Sequence, residues 1–249
     1  MKVLSKCFGI IDLIKSKDMN LTEISKELNI NKSTAYSILK DLQKFGYVYK
    51  LNTNKKYRLG YKFFEIYNYL ITKIDLMKEA EKIADELNIL TNETIHVGTF
   101  ISSKVYNIYK KESDKPIRVY IEGFKEVPIY CTGIGKAILA NQKKEKIDEI
   151  LNKLEFKKYT KNTITDMDDL RRELEKIKNS GYAIDNEEHQ ENVCCIATPV
   201  RNYTNEVVAS ISITSIKYKT DVDYLVDKYK SLIMQKGFEL SLRLGYNND

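Results

Sequence analysis

The sequence predicts an α+β protein built in two parts, and three observations predict it. Residues 1–60 run in the order helix, helix, tight turn, helix, β-hairpin. From about residue 75 onward, strands alternate with helices. The excess positive charge is confined to the first part: residues 1–60 carry twelve Lys/Arg and five Asp/Glu, a net of +7, while the other 189 residues sum to −1. A charge split at a domain boundary points to a polyanion partner for the N-terminal part, against the plainer reading of a solvated lysine-rich surface.

The first helix is read over 5-SKCFGIIDLIK-15, with Phe8, Ile11 and Ile14 on its inner face. The second spans 21-LTEISKEL-28, with Thr22 as its N-cap and Leu21, Ile24 and Leu28 inward. After the break 29-NIN-31, with Asn31 as a cap, comes 32-KSTAYSILKDLQKFG-46, burying Ala35, Ile38, Leu39, Leu42 and Phe45 and stopped by Gly46. The segment 47–59 closes the domain as two short strands around a polar turn at 52–56. That order is a winged helix-turn-helix. Its third helix presents Lys32, Ser33, Thr34, Tyr36, Ser37 and Lys40 opposite the apolar face, small hydroxyls and amines suited to base edges and phosphates in a major groove. Lys55, Lys56 and Arg58 on the hairpin would contact phosphate. The expected partner is double-stranded operator DNA; the alternative is a three-helix module for protein contacts.

Residues 61–74 form a linker helix. Phe63, Phe64, Ile66, Tyr67, Leu70, Ile71 and Ile74 give it an apolar stripe too wide for a helix lying alone. A second copy of the chain in a homodimer or tetramer would cover it, as would docking within the chain itself. Residues 75–249 form the second domain, with strands at 94–100, 104–111, 117–121, 193–200 and 206–215. Helices are expected at 132–140, 143–154, 166–179 and 221–243.

No run approaches the roughly 18 apolar residues that span a bilayer, and the N-terminus has no clean signal-peptide pattern. The expected location is the cytoplasm, with no membrane partner. The four cysteines, Cys7, Cys131, Cys194 and Cys195, form neither a CxxC pair nor a disulfide framework.

Two segments carry chemistry. The loop 130-YCTGIGKAILANQ-142 has the look of a phosphate cradle, but a Walker loop needs glycine at Tyr130 and a hydroxyl residue at Ala137, and a dinucleotide loop needs glycine at Ile138. What survives is a helix start whose free amides hold a small anion such as a carboxylate. The segment 181-GYAIDNEEHQENVCCIATPV-200 gathers Asp185, Glu187, Glu188, His189, Cys194 and Cys195 within eleven positions. Ser212 and Thr214, two apart, point from one face of a strand, as in a ligand pocket or as ordinary strand hydroxyls. A thiol enzyme or redox sensor built on Cys194 or Cys195 with His189, or a metal sensor using His189, His96 or an adjacent cysteine, is the alternative function. No spacing matches a zinc pattern. Catalytic residues, a bound metal and a cofactor are not expected.

The order of winged helix, linker helix, 127-VPIYCTGIGKAILA-140, 181-GYAIDNEEHQENVCCIATPVRN-202 and 207-VVASISITS-215 resembles the IclR family of transcriptional regulators over nearly the whole chain. The resemblance implies a non-enzymatic dimer or tetramer that binds operator DNA; repression is the expected outcome, with activation the open alternative. It also implies a GAF-like C-terminal α/β domain that receives a small organic acid or aromatic effector. The effector would lie against Gly133, Ile134, Gly135 and Lys136, and would contact Asp185, Cys195, Ser212 and Thr214. Three departures stand out: Asn192 replaces a loop glycine and implies a different backbone path there, Cys194 doubles the cysteine, and the wing at 51–58 is merely lysine-rich.

Overall fold

In the computed structural model, which describes residues 2–66, 76–116, 125–217 and 222–247, the chain divides into two units, Met1–Lys73 and Ile74–Asp249. The expected strand at 117–121 and residues 67–74 of the linker, with Tyr67, Leu70, Ile71 and Ile74, lie outside the described residues; residues 62–66 are helical.

The first unit contains α1 (Val3–Ser16), α2 (Leu21–Glu27), α3 (Lys32–Lys44), β1 (Val48–Lys50) and β2 (Tyr57–Leu59). Its core joins Ile10, Ile14, Met19, Ile24, Ala35, Ile38, Leu39, Leu42, Val48 and Tyr57. Two expected core positions are corrected: Phe8 and Phe45 are 62% and 64% exposed. Ile10 takes the inner place on α1 beside Ile14, since the four-residue step keeps them on one face. The cap of α2 is corrected as well. Asn20, not Thr22, accepts the amides of Thr22 and Glu23, while the Glu23 carboxylate accepts the Asn20 amide, a reciprocal capping box. Asn31 occupies the N-cap position of α3 but its side chain bonds no helix amide. At the other end the Tyr47 amide bonds the Leu42 carbonyl at 2.9 Å and the Gly46 amide bonds the Gln43 carbonyl at 3.0 Å. This 6→1 and 5→2 pair requires the left-handed φ of 78° that Gly46 supplies. Tyr57 exchanges both backbone bonds with Met19, so the wing is tied to the α1–α2 connection.

The second unit contains α4 (Leu76–Thr91), β3 (Thr94–Ile101), β4 (Lys104–Lys111), β5 (Glu126–Val127), α5 (Gly133–Ala140), α6 (Lys144–Leu151), α7 (Met167–Ser180), β6 (Ala183–Asn186), β7 (Val193–Arg201), β8 (Val207–Ile216) and α8 (Val222–Arg243). Its six strands form one sheet in the order β5-β4-β3-β8-β7-β6, with every described pairing antiparallel. Helices cover both faces. On one, Ile83 and Leu87 of α4 and Leu225, Ile233 and Leu240 of α8 pack on Ile95, Val97, Ile196, Ile211 and Ile213. On the other, Ile138 and Leu139 of α5 with Leu170 and Ile177 of α7 pack on Val105, Ala183 and Ala197. Each fully buried Leu or Ile contributes about 1.5–3 kcal/mol, and β8 alternates Ala209, Ile211 and Ile213 with Ser210, Ser212 and Thr214, so a one-residue slip would exchange its apolar and polar faces. No described helix is long and apolar enough to cross a membrane.

Candidate effector site and DNA-facing helix

Register builds the site. On the α5 side of the sheet, Asp185 of β6 is the cross-strand partner of Cys195 of β7, and Cys195 is the partner of Thr214 of β8. One strand further, His96 of β3 pairs with Ser212 of β8. Side chains at such positions lie about 5 Å apart, so polar groups remote in sequence form a continuous wall. The open first turn of α5 faces that wall: a Cβ on Gly133 would meet the Cβ atoms of Ala197 at 3.3 Å, Cys195 at 3.4 Å and Asp185 at 3.9 Å. Glycine leaves that close approach uncrowded.

A cavity of about 50 Å³ lies between them, lined by His96, Asn107, Thr132, Gly133, Ile134, Asp185, Cys195, Ser212 and Thr214 together with Val127, His189, Gln190 and Val193. Val127, His189 and Gln190 also line a larger groove of about 1080 Å³. Thr132 caps α5 by accepting the Gly135 amide at 3.1 Å, which leaves Gly133 and Ile134 as the unbonded first-turn donors that every helix start provides.

Burial, reinforced by the nearby Glu188, pushes the Asp185 carboxyl up to about 7. Its Oδ1 accepts the Glu188 amide at 2.8 Å. The Cys195 thiol is pushed well above its ordinary value by burial and by Asp185, and the Thr214 hydroxyl lies 3.3 Å from its sulfur. His96, 3% exposed, is driven down to about 4 by burial and by Lys110, so its ring is neutral.

Of the eight expected effector residues, six line the cavity: Gly133, Ile134, Asp185, Cys195, Ser212 and Thr214. Gly135 and Lys136 do not. The helical turn of 100° per residue aims Gly135 at the backbone of Pro128 and Ile129. Lys136 is fully buried and bonds Glu188 at 2.5 Å and Glu173 at 3.3 Å. His96, Asn107 and Thr132 were not anticipated as effector contacts. The register that brings His96 to Ser212 is invisible in a single strand's pattern, although Thr132, one residue before a glycine helix start, carried an N-cap signal. Cys194 points to the opposite face, into the core under α4 and α8. Asn192 takes a left-handed φ of 61°, the conformation a glycine would adopt there and one that asparagine tolerates.

In the first unit, Lys32, Ser33, Tyr36, Ser37 and Lys40 of α3 are exposed and Thr34 is half-buried. On the hairpin Lys55 is exposed and Lys56 half-buried. Arg58 is engaged: its Nε and Nη2 donate to the two carboxylate oxygens of Asp18 at 2.9 and 2.6 Å. That pair holds the Asp18 carboxyl below its ordinary value.

Residues 68–241 match the family model described as the bacterial transcriptional regulator IclR C-terminal domain, and residues 10–70 match that of the sugar-specific transcriptional regulator TrmB. The chain is 32% identical to the HTH-type transcriptional regulator KdgR of Escherichia coli, over 98% of this chain and 92% of KdgR. The crystal structure of the Thermotoga maritima IclR superposes with a TM-score of 0.66 at 31% identity, covering 98% of each chain. The inducer-binding domain of the Acinetobacter transcription factor PobR, solved with 3-hydroxybenzoic acid, superposes with a TM-score of 0.61 at 25% identity, over 66% of this chain and 96% of that one. These likenesses, with Cys194 and Cys195 thiols whose pKa burial raises, disfavour the thiol-enzyme and metal- or redox-sensor alternative. With a regulator domain matched over most of its length behind a helix-turn-helix, this chain belongs to the IclR family of DNA-binding transcriptional regulators and is not an enzyme.

Proposed function

We propose that this regulator binds operator DNA through α3 and the wing, and that a small organic or aromatic acid in the cavity at the start of α5 changes that affinity. Residues 1–60 act as the DNA-binding domain, 61–74 as the linker and 75–249 as the effector domain, in a cytoplasmic homodimer or tetramer. Two copies would set two recognition helices on the half-sites of a symmetric operator. Repression is the reading that fits an effector acting by release from DNA.

The observation that carries the effector reading is the row Asp185, Cys195 and Thr214 facing the Gly133–Ile134 turn. The helix start supplies donors and a positive dipole end to a carboxylate. A carboxylate bound there favours the protonated form of Asp185, which then donates a hydrogen bond instead of repelling the ligand. An acid longer than the cavity would extend past Val127, His189 and Gln190 into the groove.

Fluorescence anisotropy of the full chain tests the reading, with DNA from upstream of its own gene and an unrelated fragment at two or more salt concentrations. A preference for the upstream DNA that weakens steeply with salt, and shifts about 5–150-fold with a bound acid, is the expected result. Equal binding to both fragments, with no response to any acid, would sink it.

A further inference from the structure

One polar group in the cavity has unfinished bonding. His96 is 3% exposed, its Nδ1 lies 3.0 Å from the Thr214 Oγ1, and among the described residues nothing bonds its Nε2. Buried nitrogens left unpaired cost free energy, and native structures rarely keep one without a purpose. His96 sits one strand from Thr214 and two strands from Cys195, so it lies along the polar wall from Asp185.

We infer that His96 is a specificity-determining residue whose Nε2 bonds a hydroxyl of the effector, making the preferred effector a hydroxylated carboxylate. The inference rests on the proposed effector reading and deepens it. The chemistry follows from the inventory of bonding groups. A neutral imidazole carries one proton, and Thr214 can donate to or accept from Nδ1, so Nε2 is either a bare lone pair or an N–H. A carbonyl oxygen would satisfy only the N–H form. A hydroxyl satisfies both, because it donates and accepts. A second carboxylate on the ligand would likewise only accept, so it too would leave a bare lone pair on Nε2 unmet. Ser212 and Asn107 line the cavity with His96 and add a hydroxyl and an amide oxygen to it, while the Asn107 amide nitrogen donates to the Val97 and Tyr109 carbonyls.

The test is calorimetric titration of the full-length protein with matched acids that differ by the hydroxyl: glycerate and propionate, 4-hydroxybutyrate and butyrate, 3-hydroxybenzoate and benzoate. At least one hydroxy acid should bind tenfold or more tightly than its partner. In His96→Asn, which keeps a polar atom near Thr214 but lacks Nε2, that gap should close to about onefold. In the wild type, ¹⁵N-histidine spectra provide a second readout that survives a misfolded variant. Only two histidines contribute signals, and the Nε2 signal of His96 should move with the hydroxy acid and stay with its partner. Pairs that bind the wild type equally, or a His96 Nε2 signal that ignores the bound hydroxy acid, overturn the inference and leave the carboxylate reading standing. A protein that binds none of the acids overturns both.

Discussion

The Lys136 ammonium lies 2.5 Å from the Glu188 carboxylate, and the two side chains are 0% and 9% exposed. The lysine of the glycine loop, which a phosphate-binding loop would turn to its ligand, is here the inner partner of an ion pair. Removing one member of such a pair leaves the other charge uncompensated in a low dielectric, at a cost of about 3–5 kcal/mol. Lys136→Met should lower the stability of the second unit by that order, read from its transition in urea. Lys136→Met/Glu188→Gln should lose less than the single variant, because it leaves no orphan charge. A single variant as stable as the wild type would refute the role.

Asp185 gives the second unit a pH dependence opposite to that of most carboxylates. Burial raises its folded value to about 7, against about 3.9 unfolded. The folded state therefore holds the proton more tightly, and the contribution is favourable below about pH 4 and lost as pH rises from there through 7. Its size is at most about 4 kcal/mol. Asp185→Asn removes this dependence, so the variant should exceed the wild type in stability at pH 8 and approach it at pH 5. His96, lowered to about 4, acts in the other direction, losing stability as pH falls through 6.5 to 4. Comparing the two proteins at each pH cancels its effect. A difference that does not vary with pH would rule out the buried carboxyl as its source.

The fold was legible wherever the pattern is local. The helix order of residues 3–44, the stop at Gly46 and the glycine start of α5 follow from periodicity and backbone freedom within a few residues. Ser212 and Thr214 were legible as one face of a strand because strand side chains alternate. His96 was not, because its place beside Thr214 depends on a contact across 118 residues. Lys136 was misplaced for a similar reason: its partner Glu188 is 52 residues away, and the local sequence cannot say which side of a buried helix a charge faces. Thr22 lost the cap to Asn20 because Glu23 stands three residues after Asn20, the spacing a capping box needs.

The two loop glycines should separate folding from ligand response. A Cβ at position 135 would lie 2.6 Å from the Ile129 carbonyl oxygen and 2.7 Å from the Pro128 carbonyl oxygen. Both are backbone atoms that cannot yield cheaply. At position 133 the nearest atoms are side-chain carbons at 3.3 and 3.4 Å. Gly135→Ala should therefore destabilise the second unit by about 1–3 kcal/mol and lower its thermal midpoint. Gly133→Ala meets contacts only a few tenths of an ångström too tight, so it should cost less stability than Gly135→Ala yet bind the acid at least tenfold more weakly, because the added methyl occupies the cavity. Equal melting losses at the two positions would contradict the geometry.

Charge pairing ranks the cations of the first unit. Lys32 and Lys40 are exposed on α3, whereas Arg58 already donates two hydrogen bonds to Asp18. Each phosphate contact contributes about 0.9 to the slope of log affinity against log salt. Lys32→Ala and Lys40→Ala should each flatten that slope by about 0.9 and weaken binding. Arg58→Ala should leave it nearly unchanged if the guanidinium stays with Asp18 on DNA. Asp18→Asn supplies the opposite arm. It weakens the pairing without removing the guanidinium, so the slope should steepen and affinity should rise. Anisotropy titrations of the four variants across a salt series decide the matter. If Arg58→Ala flattens the slope as much as Lys32→Ala does, the arginine leaves Asp18 for phosphate on binding, and the wing must shift its side chains when it meets DNA. If only the wing variants respond, α3 is not the helix that approaches the duplex.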